Sequence, residues 1–212
     1  MKKYEILEKL HENYLVAVVR GKSEEDAIHM IENIIEGGIH NIEITFTTPN
    51  AENVIKYFSQ KQNESLLIGA GTVMDSSTAS NAIQCGANYI VSPHFDAEIS
   101  KVCNLYAIPY LPGCGSVTEI VSALKMGSDV VKLFPGNLLG ASYIKDVHGP
   151  IPQVELMPSG GVTLENMHEW YQNKAFAIGI GSALSKDATD GHDAIIIDNT
   201  KRFVDKYNEL RG

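Results

Sequence analysis

Several features are absent from this 212-residue chain. It has no run of about 18 apolar residues, so no segment reads as a membrane-spanning helix. The start, MKKYEILEKLHEN, alternates charged and apolar residues as an amphipathic helix does and lacks the apolar core of a secretion signal. A cytoplasmic location and no membrane partner are therefore expected. Positive charge is in deficit: 17 Lys and Arg against 26 Asp and Glu leave a net charge of −9 and a pI near 5.2. That balance repels a polyphosphate backbone and argues against nucleic acid as a partner. Cysteine is scarce; Cys85, Cys103 and Cys114 form no CxxC pair and read as reduced thiols used for packing. The seven histidines, at positions 11, 29, 40, 94, 148, 168 and 192, show no HxH or HxxxH pairing beside an acidic residue, so no metal is expected. His94, which follows a predicted strand, reads as pocket lining.

What is present is an ordinary globular composition, 44% hydrophobic and 20% charged, without a polar linker or low-complexity stretch. One domain over residues 1–212 is the default. From residue 15 onward, short β-branched runs alternate with segments of helical period, the pattern of βα units on a parallel sheet. Eight strands are predicted: Leu15–Arg20, Asn41–Thr47, Leu66–Val73, Tyr89–Ser92, Ile108–Leu111, Asp129–Phe134, Val154–Ser159 and Ala177–Gly181. Helical stretches such as EEDAIHMIENIIEGG and SVTEIVSALKMG place apolar residues three and four apart and stop at glycine. Eight such units in about 200 residues fit an α/β fold closed as a single (β/α)8 TIM barrel with an N-terminal helix. An open doubly wound sheet would carry a Gly-rich turn after its first strand, where this chain has Val19-Arg20-Gly21-Lys22.

Polar residues inside barrel strands need a reason. In NIEITFTTP, Ile42, Ile44 and Phe46 alternate with Glu43, Thr45 and Thr47, so a greasy face packed on helices turns Glu43 into the barrel. In DVVKLFPG, Lys132 sits among apolar neighbours near the C-terminal end of its strand, where barrel active sites are built. Removal from water disfavours the ammonium form and makes a buried lysine a usable nucleophile. Ser159-Gly160-Gly161 follows the seventh strand, and Gly179-Ile180-Gly181-Ser182 ends the eighth. Glycines in those two loops form the recurrent phosphate site of this fold. Thr72 stands at the mouth after the third strand, Pro93 follows the fourth, and Arg20 ends the first, where a guanidinium can fork a carboxylate.

With those residues in view, the chain resembles the 2-keto-3-deoxy-6-phosphogluconate (KDPG) aldolase and 4-hydroxy-2-oxoglutarate (KHG) aldolase family. The likeness runs from about Val16 to Leu184, in the ordered blocks VAVVRG, GGIHNIEITFTTPNA, IGAGTV, IVSPHFD, IPYLPG, DVVKLFPG, LMPSGGV and GIGSAL. The resemblance implies a trimeric class I aldolase without metal or organic cofactor, holding pyruvate as a covalent Schiff base. It places the imine-forming lysine at Lys132 and the acid/base carboxylate at Glu43. Thr72, Pro93 and Phe134 fall where the family contacts the pyruvyl half. Gly160, Gly161, Gly181 and Ser182 fall on its phosphate cradle, and Ser159 stands where KDPG members usually have Thr. One departure stands out: the family motif E-x-T-x-R-T has Thr47 in place of its arginine, the expected carboxylate ligand. Arg20 is the replacement candidate.

The expected reaction is cleavage of a small 2-keto acid phosphate, KDPG, to pyruvate and glyceraldehyde 3-phosphate, with KHG as a further substrate. Alternatives are the 6-phosphogalactonate epimer as substrate, a phosphate-binding barrel isomerase or decarboxylase that would not need Lys132, and a non-catalytic phosphosugar sensor.

Overall fold

A computed structural model describes residues 1–61, 63–188 and 193–212; His192 lies outside the described residues. The chain opens with α1 (Lys2–Asn13) and β1 (Leu15–Val19), then alternates α2 (Glu24–Glu36), β2 (Asn41–Thr45), α3 (Ala51–Ser59), β3 (Leu67–Gly71), α4 (Ser76–Gln84), β4 (Tyr89–Val91) and α5 (Ala97–Leu105). It continues through β5 (Tyr110–Leu111), β6 (Gly113–Cys114), α6 (Val117–Lys125), β7 (Val130–Leu133), α7 (Gly136–Leu139) and α8 (Ser142–His148). The last elements are β8 (Glu155–Pro158), α9 (Met167–Gln172), β9 (Ile178–Ile180) and α10 (Asp193–Arg211).

All pairings are parallel. One sheet runs β5-β4-β3-β2-β1-β9 and the other β6-β7-β8. They meet at two seams: β5 and β6 are separated by Pro112 alone, and Ser159 bridges Gly179 between the ends of β8 and β9. The result is a closed ring of eight strand positions. Where the sequence predicts one fifth strand over Ile108–Leu111, the structure has two short pieces around a proline. Pro112 has no N–H to give to a ladder, although its carbonyl accepts from the Lys132 backbone N–H at 2.9 Å. The other strands are as predicted, with ends shorter by up to two residues.

Alternation along each strand sorts side chains into two layers. Ile42 and Ile44 of β2 and Val131 and Leu133 of β7 face outward into a core shared with the helices. Val16, Leu67, Tyr89, Leu111, Val130 and Met157 face inward and meet Ile6, Leu7 and Leu10 of α1, which closes the barrel floor. Asn41, fully buried, is held at that floor by donating to the Leu10 carbonyl at 3.1 Å and accepting from Asn13 at 2.9 Å. At the opposite end, four helices begin with a side-chain cap. Ser23, Asp75, Asp96 and Ser116 each accept from the backbone N–H three residues on. Among the described residues no helix is long and apolar enough to cross a membrane.

Candidate active site

The outward packing of Val131 and Leu133 leaves Lys132 pointing into the barrel, 6% exposed, and the outward packing of Ile42 and Ile44 does the same for Glu43, 1% exposed. The two meet across the interior, with Lys132 Nζ donating to Glu43 Oε1 at 3.3 Å. Each charge compensates the other; a buried charge stripped of its partner costs several kcal/mol. Gly71 is a condition of this pairing, because a Cβ there would lie 2.2 Å from Glu43 Oε1. The Phe134 ring stands 5.5 Å from Lys132 Nζ, within reach of a cation–π attraction.

Above the pair opens a cavity of about 870 Å³, in the range that takes a small metabolite. The structure brings Arg20, Glu43, Thr72, Pro93, Lys132, Phe134, Ser159, Gly160, Gly161, Gly181 and Ser182 to its wall, as the sequence predicts. Thr72 has φ 55°, a left-handed conformation that is costly for a β-branched residue and typical of functional positions. Gly160 and Gly161 have φ 92° and 77°, which L side chains rarely adopt, and a Cβ at Gly161 would lie 2.5 Å from Asn137 Cβ.

Thr47, predicted to bind substrate, is left off the wall. Strand β2 ends at Thr45, and the turn that follows carries Thr47 to the exposed rim. There it supports Arg20: Arg20 Nε donates to Thr47 Oγ1 at 2.8 Å, and Thr47 and Thr45 share a hydroxyl hydrogen bond of 2.9 Å. Thr45 in turn donates to the Val19 carbonyl at 3.1 Å. His94, read from sequence as pocket lining, also stands apart from the cavity. The turn it occupies is pinned instead by its carbonyl, which accepts from Ser92 Oγ and Tyr110 Oη.

Sequence reasoning missed Thr163, Ser185 and Lys186 on the wall. Lys186 had a signal, a cation shortly after the glycine turn of GIGSALSK, but its turn toward the cavity is visible only in three dimensions. Cys103 and Cys114 are buried, which pushes both thiols up to about 12 and leaves them poor nucleophiles. Among the described residues no group of three or more His, Cys, Asp or Glu side chains is placed to hold a metal ion.

A family profile described as "Aldolase: KDPG and KHG aldolase" matches residues 6–197. The 2-dehydro-3-deoxy-phosphogluconate aldolase of Treponema pallidum (strain Nichols) is 36% identical over 166 residues, 78% of this chain and 79% of that protein. The 2-dehydro-3-deoxy-6-phosphogalactonate aldolase of Escherichia coli (strain K12) is 30% identical over 171 residues, 80% of this chain and 83% of that protein. Among solved structures, KDPG aldolase from Legionella pneumophila, with pyruvate captured at low pH as a covalent carbinolamine intermediate, superposes with a TM-score of 0.84 at 28% identity. That match covers 92% of this chain and 96% of the other. The inward lysine–glutamate pair, the glycine turns and these likenesses converge: the chain belongs to the KDPG and KHG aldolase family, which are class I carbon–carbon lyases.

Proposed function

We propose that residues 1–212 form one catalytic barrel that cleaves KDPG to pyruvate and glyceraldehyde 3-phosphate through a Schiff base on Lys132, and also accepts KHG. The observation that carries this reading is the buried 3.3 Å contact between Lys132 Nζ and Glu43 Oε1 at the base of the cavity. Because these two charges neutralise one another, Arg20 and Lys186 are the cations left on the wall among its described residues. A keto acid phosphate carries an anion at each end, which matches these two cations and the glycine turns on the same wall, with Lys186 also facing the Glu165 carboxylate.

In the mechanism, Lys132 gives its ammonium proton to Glu43 and attacks the C2 ketone as the neutral amine; Glu43 relays protons to the former ketone oxygen, which leaves as water to give a protonated imine. Glu43 then removes the C4 hydroxyl proton, the C3–C4 bond breaks, and its electron pair flows into the imine to give an enamine. The aldehyde leaves, the enamine is protonated at C3, and hydrolysis frees pyruvate and the amine. The imine is itself the electron sink, so the reaction calls for no metal or organic cofactor. Thr72, Pro93 and Phe134 flank Lys132 as the pyruvyl subsite, while Ser159, Gly160, Gly161, Gly181 and Ser182 offer backbone and hydroxyl donors to phosphate. Arg20, held by Thr47, takes the carboxylate role of the missing family arginine. We place the enzyme in the cytoplasm as a homotrimer.

A second substrate reading, the 6-phosphogalactonate epimer, is favoured by the name of the E. coli relative. The epimers differ at C4, the carbon whose hydroxyl Glu43 serves, so comparing cleavage rates of the two separates the readings. The mechanism itself is tested by incubating the protein with pyruvate, reducing with borohydride and mapping the adduct by peptide mass spectrometry. An adduct on Lys132 is expected; turnover without one sinks the Schiff-base reading.

A further inference from the structure

Tyr89 sits inside the barrel where a purely apolar side chain would fill the space, yet it carries a hydroxyl. It is fully buried, and neither its Oη nor Glu43 Oε2 has a hydrogen-bond partner among the described residues. Buried polar atoms are nearly always satisfied, so these two orphans inside one barrel need an explanation.

The register supplies the geometry. Glu43 of β2 pairs with Gly69 of β3, and Gly69 pairs with Tyr89 of β4. On β3 the inward positions above Leu67 are Gly69 and Gly71, which leave a trough free of side chains. Tyr89 leans into it from one side: a Cβ at Gly69 would lie 2.2 Å from Tyr89 Cε2 and 2.3 Å from Cζ. Glu43 leans in from the other, with Oε1, Cγ and Cδ at 2.2, 2.6 and 2.8 Å from a Cβ at Gly71. The Tyr89 hydroxyl, one bond beyond Cζ, therefore lies over β3 one level below the Glu43 carboxylate. Two residues along a strand span about 7 Å. Neither oxygen has a direct partner among the described residues, and one water with two hydrogen bonds joins oxygens about 5–6 Å apart, a little under the spacing of the two levels.

We propose that Tyr89 is a positioning residue for the catalytic carboxylate, holding Glu43 Oε2 through a single internal water so that Oε1 faces Lys132. The proposal rests on the Glu43 and Lys132 roles given above. The phenol is kept as a neutral donor, because burial first and the Glu43 charge second push its ionisation well above the usual range. Fixing Oε2 from below removes the rotation that would let the carboxylate swing away from the reacting atoms, an effect felt only in the proton-transfer steps.

The test is Tyr89→Phe, which removes the hydroxyl and keeps the ring. The expected result is a fall of about tenfold in kcat and in deuterium exchange at the pyruvate methyl, the worth of one hydrogen bond to a charged group. KM and the fraction of Lys132 trapped by borohydride stay unchanged, and on a Glu43→Gln background the same substitution has no further effect. Unchanged kcat and exchange, an equal loss on both backgrounds, or a rise in Tm showing that the hydroxyl had no partner would each overturn the assignment. Failure of the underlying Schiff-base reading shows separately, as active wild-type enzyme without an adduct.

Discussion

At the barrel floor, Ile6, Leu7 and Leu10 of α1 press into Val16, Leu67, Val130 and Met157, and the buried Asn41 has its amide and carbonyl both engaged. At the mouth, the same inward-facing strand positions carry Glu43 and Lys132, Glu43 Oε2 has no partner among the described residues, and Thr72 adopts a left-handed backbone. The floor is filled and mostly apolar, with the Tyr89 hydroxyl as a polar atom facing the mouth; the mouth holds charge, an orphaned acceptor and strain. One set of strands thus supports both ends, and alternation along each strand leaves the chemistry to inward residues near its C-terminal end. The comparison assigns stability to the floor and turnover to the mouth, and substitutions at each end can separate them.

The largest effect is expected at Lys132. Lys132→Met should abolish both the borohydride adduct and turnover, and should lower Tm as well, because Glu43 becomes a buried charge without a partner at a cost of about 3–5 kcal/mol. Measurable cleavage by this variant would detach the chemistry from the mouth. Glu43→Gln is nearly isosteric and should slow turnover by about 10²–10⁴-fold with the fold intact by circular dichroism; near-normal turnover would remove Glu43 from its role. At the floor, Leu10→Ala should cost about 2–5 kcal/mol in denaturant unfolding while kcat of the folded fraction stays near wild type. A loss of kcat with little loss of stability would show that the two ends are coupled.

The parts of this fold legible in the sequence are those written as a local period. The β2 alternation of Ile42 and Ile44 with Glu43 and Thr45 gave the direction of the carboxylate, while Lys132 stood out as a charge among apolar neighbours near the C-terminal end of its strand. The break at Pro112 was missed because a strand ending before a proline and one resuming after it look alike until the partner ladder is seen. Thr47 was carried along the period beyond the point where β2 stops; a terminal turn, not hydrophobicity, decides which way it faces. Lys186 and the trough under Tyr89 depend on which loops and which strands become neighbours, information that spacing along the chain does not hold.

The smallest expected effect concerns how the mouth is held without apolar packing. Helix α6 begins at the mouth with Ser116 as cap, and Glu119 closes the turn by accepting from the Gly115 N–H and from Ser116 Oγ, both at 2.9 Å. Those bonds, the Gly115 one foremost, hold the Glu119 carboxyl below its usual range. A carboxyl whose proton affinity falls on folding contributes stability above its unfolded value and loses it as pH falls through the lower folded value. Ser116→Ala should therefore cost about 0.5–2 kcal/mol near neutral pH. The difference from wild type should shrink as the solution is acidified below the ordinary carboxylate range, where Glu119 is protonated in both proteins. Because the side chain is exposed, salt and solvent keep this pH-dependent part small. A constant difference across that range, measured by urea unfolding at several pH values, would mean that the serine hydroxyl alone caps the helix and that Glu119 adds nothing to the stability of the mouth.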